Sequence, residues 1–152
     1  MKRALPLLVW LIVVLIVASA IPTPAEAAGG GIYCPTREEM ITIIAHKADV
    51  ERGGRVPKWR VWEIFNRESG LQHCWPDGTI KIGVTDDYGV GQMNRRGIWL
   101  DCSVNPHCRD WSMVYDAYAH VNLIMNYYER WGDFCPWNPT PGGSCTPGCG
   151  YY

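Results

Sequence analysis

The chain has 152 residues, 47% of them hydrophobic and 19% charged, with a formal net charge of -1 at pH 7. This is the balance of one ordinary folded domain, not of a disordered or collagenous chain. Fourteen Lys and Arg against fifteen Asp and Glu give no basic field to hold a phosphate backbone, so general nucleic-acid binding is a poor reading. Eight Trp and eight Tyr against two Phe put much of the apolar area into rings with a polar handle, able to build a core or to stack on sugars.

The chain opens on Met1-Lys2-Arg3, runs apolar from Ala4 to Ile21 and reaches Ala25-Glu26-Ala27. A basic start, an apolar middle and a small-x-small site are the three parts of a secretory signal peptide, with cleavage expected after Ala27. The alternative is an uncleaved membrane anchor, since the apolar run of about 17 residues sits at the lower edge of what spans a bilayer. Cleavage leaves 125 residues, room for one compact core and not for two domains. It also removes Lys2, Arg3 and Glu26, so that twelve basic residues face fourteen acidic ones. All seven cysteines lie beyond the site: Cys34, Cys74, Cys102, Cys108, Cys135, Cys145 and Cys149. In an exported chain they read as disulfide staples. Seven is odd, about 105 three-bridge pairings exist on paper, and spacing chooses none of them. A zinc site has weak support, because there is no Cys-x-x-Cys and His46, His73, His107 and His120 show no paired ligand spacing with the cysteines.

Residues 28–33 form a glycine-rich lead-in. Thr36 followed by Glu39 is a capping-box pattern, and Met40, Ile41, Ile43, Ile44, Ala45 and Ala48 recur at helical spacing, so a buried first helix is predicted up to about Val50. Gly53-Gly54 breaks it, and Pro57 stands where a second helix takes its first-turn proline. That helix carries Trp59, Val61, Trp62, Ile64 and Phe65 and ends at Ser69, with Gly70 as its stop. Turn formers dominate from Gly70 to Gly97, among them Pro76-Asp77-Gly78, Asp86-Asp87, Gly89 and Gly91, and Thr79 to Val84 reads as a hairpin strand. After a cysteine loop around Asn105-Pro106, Met113 to Arg130 has apolar residues at 114, 117, 118, 121, 124, 125 and 128, a long helical stripe that places Tyr128 in the core. Gly132 ends it, and residues 138–152 are a Pro/Gly/Cys-rich tail.

One carboxylic acid stands out. Val61, Ile64, Phe65 and Glu68 share a stripe of the second helix at spacings of three and four, so Glu68 continues an apolar face. It lies in the last turn, where unpaired carbonyls put partial negative charge. Burial and a negative helix end both disfavour an ionised side chain, and an acid kept protonated is what a glycosidic oxygen needs as proton donor. The competing reading is a Glu68 that faces water or pairs with Arg67 or Arg95.

Arg67-Glu68-Ser69-Gly70 resembles the catalytic-helix end of the soluble lytic transglycosylase (SLT) domain, and Gly89-Val90-Gly91-Gln92 resembles its Gly-x-x-Gln motif. Thr85, Asp87-Tyr88-Gly89, Gln92 and Asn94 are similar to the corresponding stretch of c-type lysozymes and of small transglycosylases that accompany secretion machines. The resemblance extends over about Thr36 to Trp137. It departs from the SLT pattern late in the chain, where Trp131-Gly132-Asp133-Phe134-Cys135-Pro136-Trp137 stands in place of a Tyr-Asn-Ala-Gly motif.

The resemblance implies a lysozyme-like fold of mainly α (α+β) class, over residues 34–137: a helical domain with a small β-hairpin region beside an active-site cleft, stapled by disulfides. It implies a secreted, periplasmic or wall-associated enzyme that cuts peptidoglycan between N-acetylmuramic acid and N-acetylglucosamine. Glu68 carries over as general acid and then base. Ser69, Tyr88, Gly89, Gln92 and Asn94 carry over to substrate binding, with Gly89 and Gly91 letting backbone approach the sugar. Asp87 decides the chemistry: a hydrolytic muramidase uses a second carboxylate about 5 Å from the first, whereas a lytic transglycosylase uses the substrate's own acetamido group and leaves an anhydro-muramyl end. The pairing of Glu-Ser-Gly with Gly-x-x-Gln favours the transglycosylase. A different class of reading is a non-catalytic wall-glycan-binding module on the same scaffold. The expected partner is the glycan strand, with a monomeric chain, no nucleic acid, and a membrane only through an uncleaved N-terminal segment. No residue pattern calls for a metal or an organic cofactor.

Overall fold

The computed structural model describes residues 32–137; the expected signal segment, most of the lead-in and the C-terminal tail lie outside them. About half of these residues are helical, in three α-helices with short 3-10 and π turns, beside a two-strand antiparallel sheet. The chain is thus mainly α with a small β part. Among the described residues no helix is long and apolar enough to cross a membrane.

Helix α1 spans Arg37–His46. Its capping box is the one the sequence implied: Glu39 N donates to the Thr36 hydroxyl at 3.2 Å, and Thr36 N donates to the Glu39 carboxylate at 2.7 Å. The expected extent to about Val50 holds, but the last turn, Lys47–Glu51, is π-helical. Gly53 and Gly54 then take φ of 57° and 74°, a left-handed path that ends the helix. Met40, Ile43, Ile44 and Ala48 are buried, while Ile41 faces outward.

Helix α2 spans Lys58–Ser69. It closes on a left-handed Gly70 (φ 71°), whose N donates to Asn66 O at 2.9 Å as in an αL cap, and Leu71 N donates to Phe65 O at 3.1 Å. Val61, Ile64 and Phe65 form its buried face, but Trp59 and Trp62 stand on the outside, 65% and 36% exposed. Large aromatic area did not decide their side of the helix; position on the stripe did.

Helix α3 spans Ala117–Trp131, four residues later than the stripe implied. Asp116 is the reason: it adopts extended backbone and accepts from Tyr118 N at 2.8 Å as an N-cap. Met113 belongs instead to a separate 3-10 turn, Trp111–Tyr115, capped by Asp110. Along α3, Val121, Leu123, Ile124 and Met125 are fully buried against α1 and α2. Tyr127, at 4% exposure, goes deeper than Tyr128, which is half-buried and stacks on Phe134 at 4.6 Å. The sequence reading had singled out Tyr128.

The β part is a chain of tight hairpins. Strands β1 (Asp87–Tyr88) and β2 (Met93–Asn94) pair antiparallel, Asp87 opposite Asn94 and Tyr88 opposite Met93. The expected strand over Thr79 to Val84 is reduced to single bridges, Cys74 to Ile80 and Ile82 to Tyr88. Disulfides join Cys34 to Cys74 and Cys102 to Cys108, and Cys135 is also disulfide-bonded. Arg52 ties the end of α1 to α3 through Glu129 and, at 2.7 Å, Asn126.

Candidate functional site

The C-terminal end of α2 and the β1–β2 hairpin loop, which carry the two motifs, are brought together in the fold. The Ser69 hydroxyl lies 2.8 Å from Val90 O and 3.0 Å from its own helix carbonyl at Phe65. Lys81 Nζ donates to Ser69 O at 2.7 Å, and Trp137 Nε1 donates to Gly91 O at 3.2 Å. From the other side Val90 N donates to His73 Nδ1 at 3.2 Å and Gly91 N to His120 Nδ1 at 3.3 Å. Side chains therefore meet both the N–H and the C=O of Val90 and of Gly91, so these buried backbone groups are satisfied without a ladder partner.

The two histidines must be neutral to do this. Their Nδ1 atoms accept from backbone amides, so the ring protons sit on Nε2, facing Tyr115 O at 3.0 Å and Val114 O at 2.7 Å. Both rings are fully buried and meet edge to face at 5.0 Å. Burial lowers the pKa of His73 and drives that of His120 well below the usual imidazole range, the neighbouring His73 adding to the second effect.

The glycines serve this packing. A Cβ on Gly89 (φ 64°) would sit 2.6 Å from His73 and 2.7 Å from His120, and one on Gly91 would meet Met93 at 2.5 Å and Phe65 at 3.1 Å. The room they leave is filled by the protein's own rings. Gln92 (φ 47°) closes the loop by donating from Nε2 to Gly89 O at 2.9 Å, while its Oε1 lies against Gly83.

The carboxylates are held differently. The Glu68 side chain is 28% exposed at the rim of the α2 face, 3.1 Å from Arg67 Nη2, and the same guanidinium donates to Trp137 O. Of the sequence alternatives, the pairing with Arg67 is thus present; positive charge beside Glu68 offsets the negative helix end. Asp87 is half-buried and accepts from Asn94 Nδ2 at 2.8 Å and from the Thr85 hydroxyl, while Asn94 Nδ2 also donates to Thr85 O at 3.0 Å. Tyr88, next along β1, lies on the opposite face, edge-on to Trp111 at 5.0 Å. Its hydrogen bond to the Asp86 carboxylate raises the phenol above its usual range.

Ser69 and Gly89 are therefore buried braces, Gln92, Asn94 and Asp87 are half-buried parts of the hairpin, and Glu68 stands at the adjoining helix end. Sequence reasoning missed the roles of His73, His120 and Lys81, and the bond from the buried Trp137 to Gly91. No spacing rule links His73 to His120, 47 positions apart, to a loop between them. Comparison of the chain with protein-family models, curated proteins and solved structures finds no match.

Proposed function

We propose that this chain is a secreted peptidoglycan lytic transglycosylase of lysozyme-like fold, cleaving the bond between N-acetylmuramic acid and N-acetylglucosamine. The observation that carries this reading is the Ser69–Val90 contact of 2.8 Å, which seats the Glu-Ser-Gly helix end on the Gly-x-x-Gln loop. Two residues 21 positions apart, one from each motif, thereby meet in the interior.

In the first half of the reaction Glu68 gives its proton to the glycosidic oxygen as that C–O bond breaks, and the acetamido oxygen of the muramyl sugar bonds to the anomeric carbon. In the second half the Glu68 carboxylate takes the proton of the sugar's own 6-hydroxyl, whose oxygen displaces the acetamido oxygen. No water is added, and an anhydro-muramyl end results. Arg67 steadies the carboxylate between the halves, Gln92 and Asn94 contact the sugars, Tyr88 braces the opposite face of the hairpin on Trp111, and Ser69 and Gly89 hold the loop in register.

A second reading, a hydrolytic muramidase, is favoured by one observation: both Asp87 oxygens are held, by Asn94 and Thr85, as an oriented carboxylate on the hairpin. Purified peptidoglycan incubated with the full chain tests the enzyme class. Soluble fragments are released by the unmodified protein, and Glu68→Gln slows release about 10²–10⁴-fold while still sedimenting with the polymer. Sedimentation without release, even for the unmodified protein, leaves the binding module as the answer.

A further inference from the structure

Four of the nine arginines among the described residues answer to carboxylates; of the other five, Arg37 donates to Asn66 and Arg130 lies over Trp131, and the remaining three gather in one place. Among the described residues Arg52, Arg55, Arg60 and Arg67 are ion-paired to Glu129, Glu63 or Glu68. Arg95, Arg96 and Arg109 have no such partner, and all three line a single pocket of about 590 Å³. Arg95 and Arg96 follow β2 directly. Arg109 comes from the loop pinned by the Cys102–Cys108 disulfide, so distant segments supply the charge. Asp86 is the one carboxylate among the lining residues, and the Tyr88 hydroxyl already engages it. The pocket is therefore net cationic in a chain whose overall charge is -1.

Its other walls are apolar and flat. Trp111 carries the Arg95 guanidinium over its ring at 5.1 Å, an arrangement that holds a guanidinium fork in place, and Trp99 and Leu100 complete the lining. A guanidinium fork matches a carboxylate or a phosphate. Apolar walls beside the forks add a requirement that a bare phosphate polymer does not meet: the anion must carry aliphatic groups within a few bonds of its charge. An acidic peptide does. The place fits too, because Asp86 precedes Asp87 and Arg95 follows Asn94, so the pocket adjoins the end of the hairpin where those two site residues pair.

We infer that this pocket binds a short acidic peptide through its carboxylates, and that in the proposed reaction it grips the peptide stem of the glycan strand. The stem assignment rests on the transglycosylase reading; the peptide pocket does not. Titrating the full, disulfide-intact chain with a synthetic stem peptide bearing two free carboxylates, followed by tryptophan fluorescence, reads the pocket directly. Saturable binding that weakens with added salt is expected, and Arg95→Gln/Arg109→Gln weakens it about tenfold. Both arginines are exposed, so the variant keeps the fold. Release assays on intact peptidoglycan and on peptide-stripped glycan strands then read the stem assignment: the double variant raises KM on the intact polymer and leaves the stripped strands unchanged.

Absence of saturable peptide binding overturns the pocket. Inorganic polyphosphate binding in an arginine-dependent way where the peptide does not bind overturns the carboxylate assignment. Equal loss on both polymers overturns the stem role. Arginine-dependent peptide binding in a protein that cuts no glycan upholds the pocket and defeats the transglycosylase reading instead.

Discussion

Acid weakens this fold at an identifiable point. His73 and His120 are fully buried and neutral, each accepting a backbone amide at Nδ1. A proton added there removes the acceptor from Val90 N or Gly91 N and places a charge where the nearest opposite charge, Asp116, acts on His73 alone. In the unfolded chain the same rings take up a proton near 6.5. Because burial lowers both pKa values in the folded state, the unfolded chain binds more protons as pH drops below 6.5, and folding stability falls with it. The contribution is fully present above 6.5 and is lost progressively until the folded-state values are reached. Each histidine contributes a slope approaching about 1.4 kcal/mol per pH unit, so the pair approaches about 2.7. Between pH 6.5 and pH 5 the ceiling is about 4 kcal/mol, a large part of the roughly 5–15 kcal/mol that holds a domain of this size. Urea unfolding of the disulfide-intact chain at half-unit steps from pH 7.5 to 5 measures it. His120→Gln is expected to lower the starting stability and to halve the slope. Stability that stays flat over that range, or a slope unchanged by His120→Gln, refutes the reasoning.

Other consequences are as concrete. Loss of the Cys34–Cys74 bridge, which spans 40 residues, is expected to cost about 4 kcal/mol, against about 2 for Cys102–Cys108, which spans 6, when Cys→Ser pairs are compared by denaturant midpoint. Gly89→Ala forces a Cβ into His73 and His120 at a left-handed φ, and a loss of about 2–4 kcal/mol in the same assay is expected. Asp87→Asn is expected to leave fragment release within about threefold of the unmodified rate if the acetamido group does the chemistry. A loss as large as that of Glu68→Gln assigns the second half of the reaction to Asp87.

What the sequence disclosed was local. The Thr36/Glu39 box and the Gly70 stop each depend on residues within a few positions, and both stand as read. Asp116 was equally local, yet a continuous apolar stripe on either side of it hid a cap that restarts the chain as α3. The stripe of Val61, Ile64 and Phe65 is the buried face of α2, and Trp59 and Trp62, which lie off that stripe, turn outward despite their bulk. The site divides the same way. Glu68 and Gln92 were visible as motif letters, but the clamp around Val90 and Gly91 draws on Ser69, His73, His120 and Trp137, and only folding brings those together. The resemblance implies that Gly89 and Gly91 let backbone approach a sugar; only the fold shows that a Cβ there would also meet His73 and His120 at Gly89, and Met93 and Phe65 at Gly91.

The central claim is that Glu68 breaks a glycosidic bond without adding water. Mass spectrometry of the soluble fragments released from purified peptidoglycan, with Glu68→Gln alongside, addresses it most directly. Anhydro-muramyl ends that disappear in the variant are predicted. Reducing muramic acid ends, heavier by one water, show a hydrolase instead and turn the hairpin carboxylate Asp87 from a bystander into the second catalytic group.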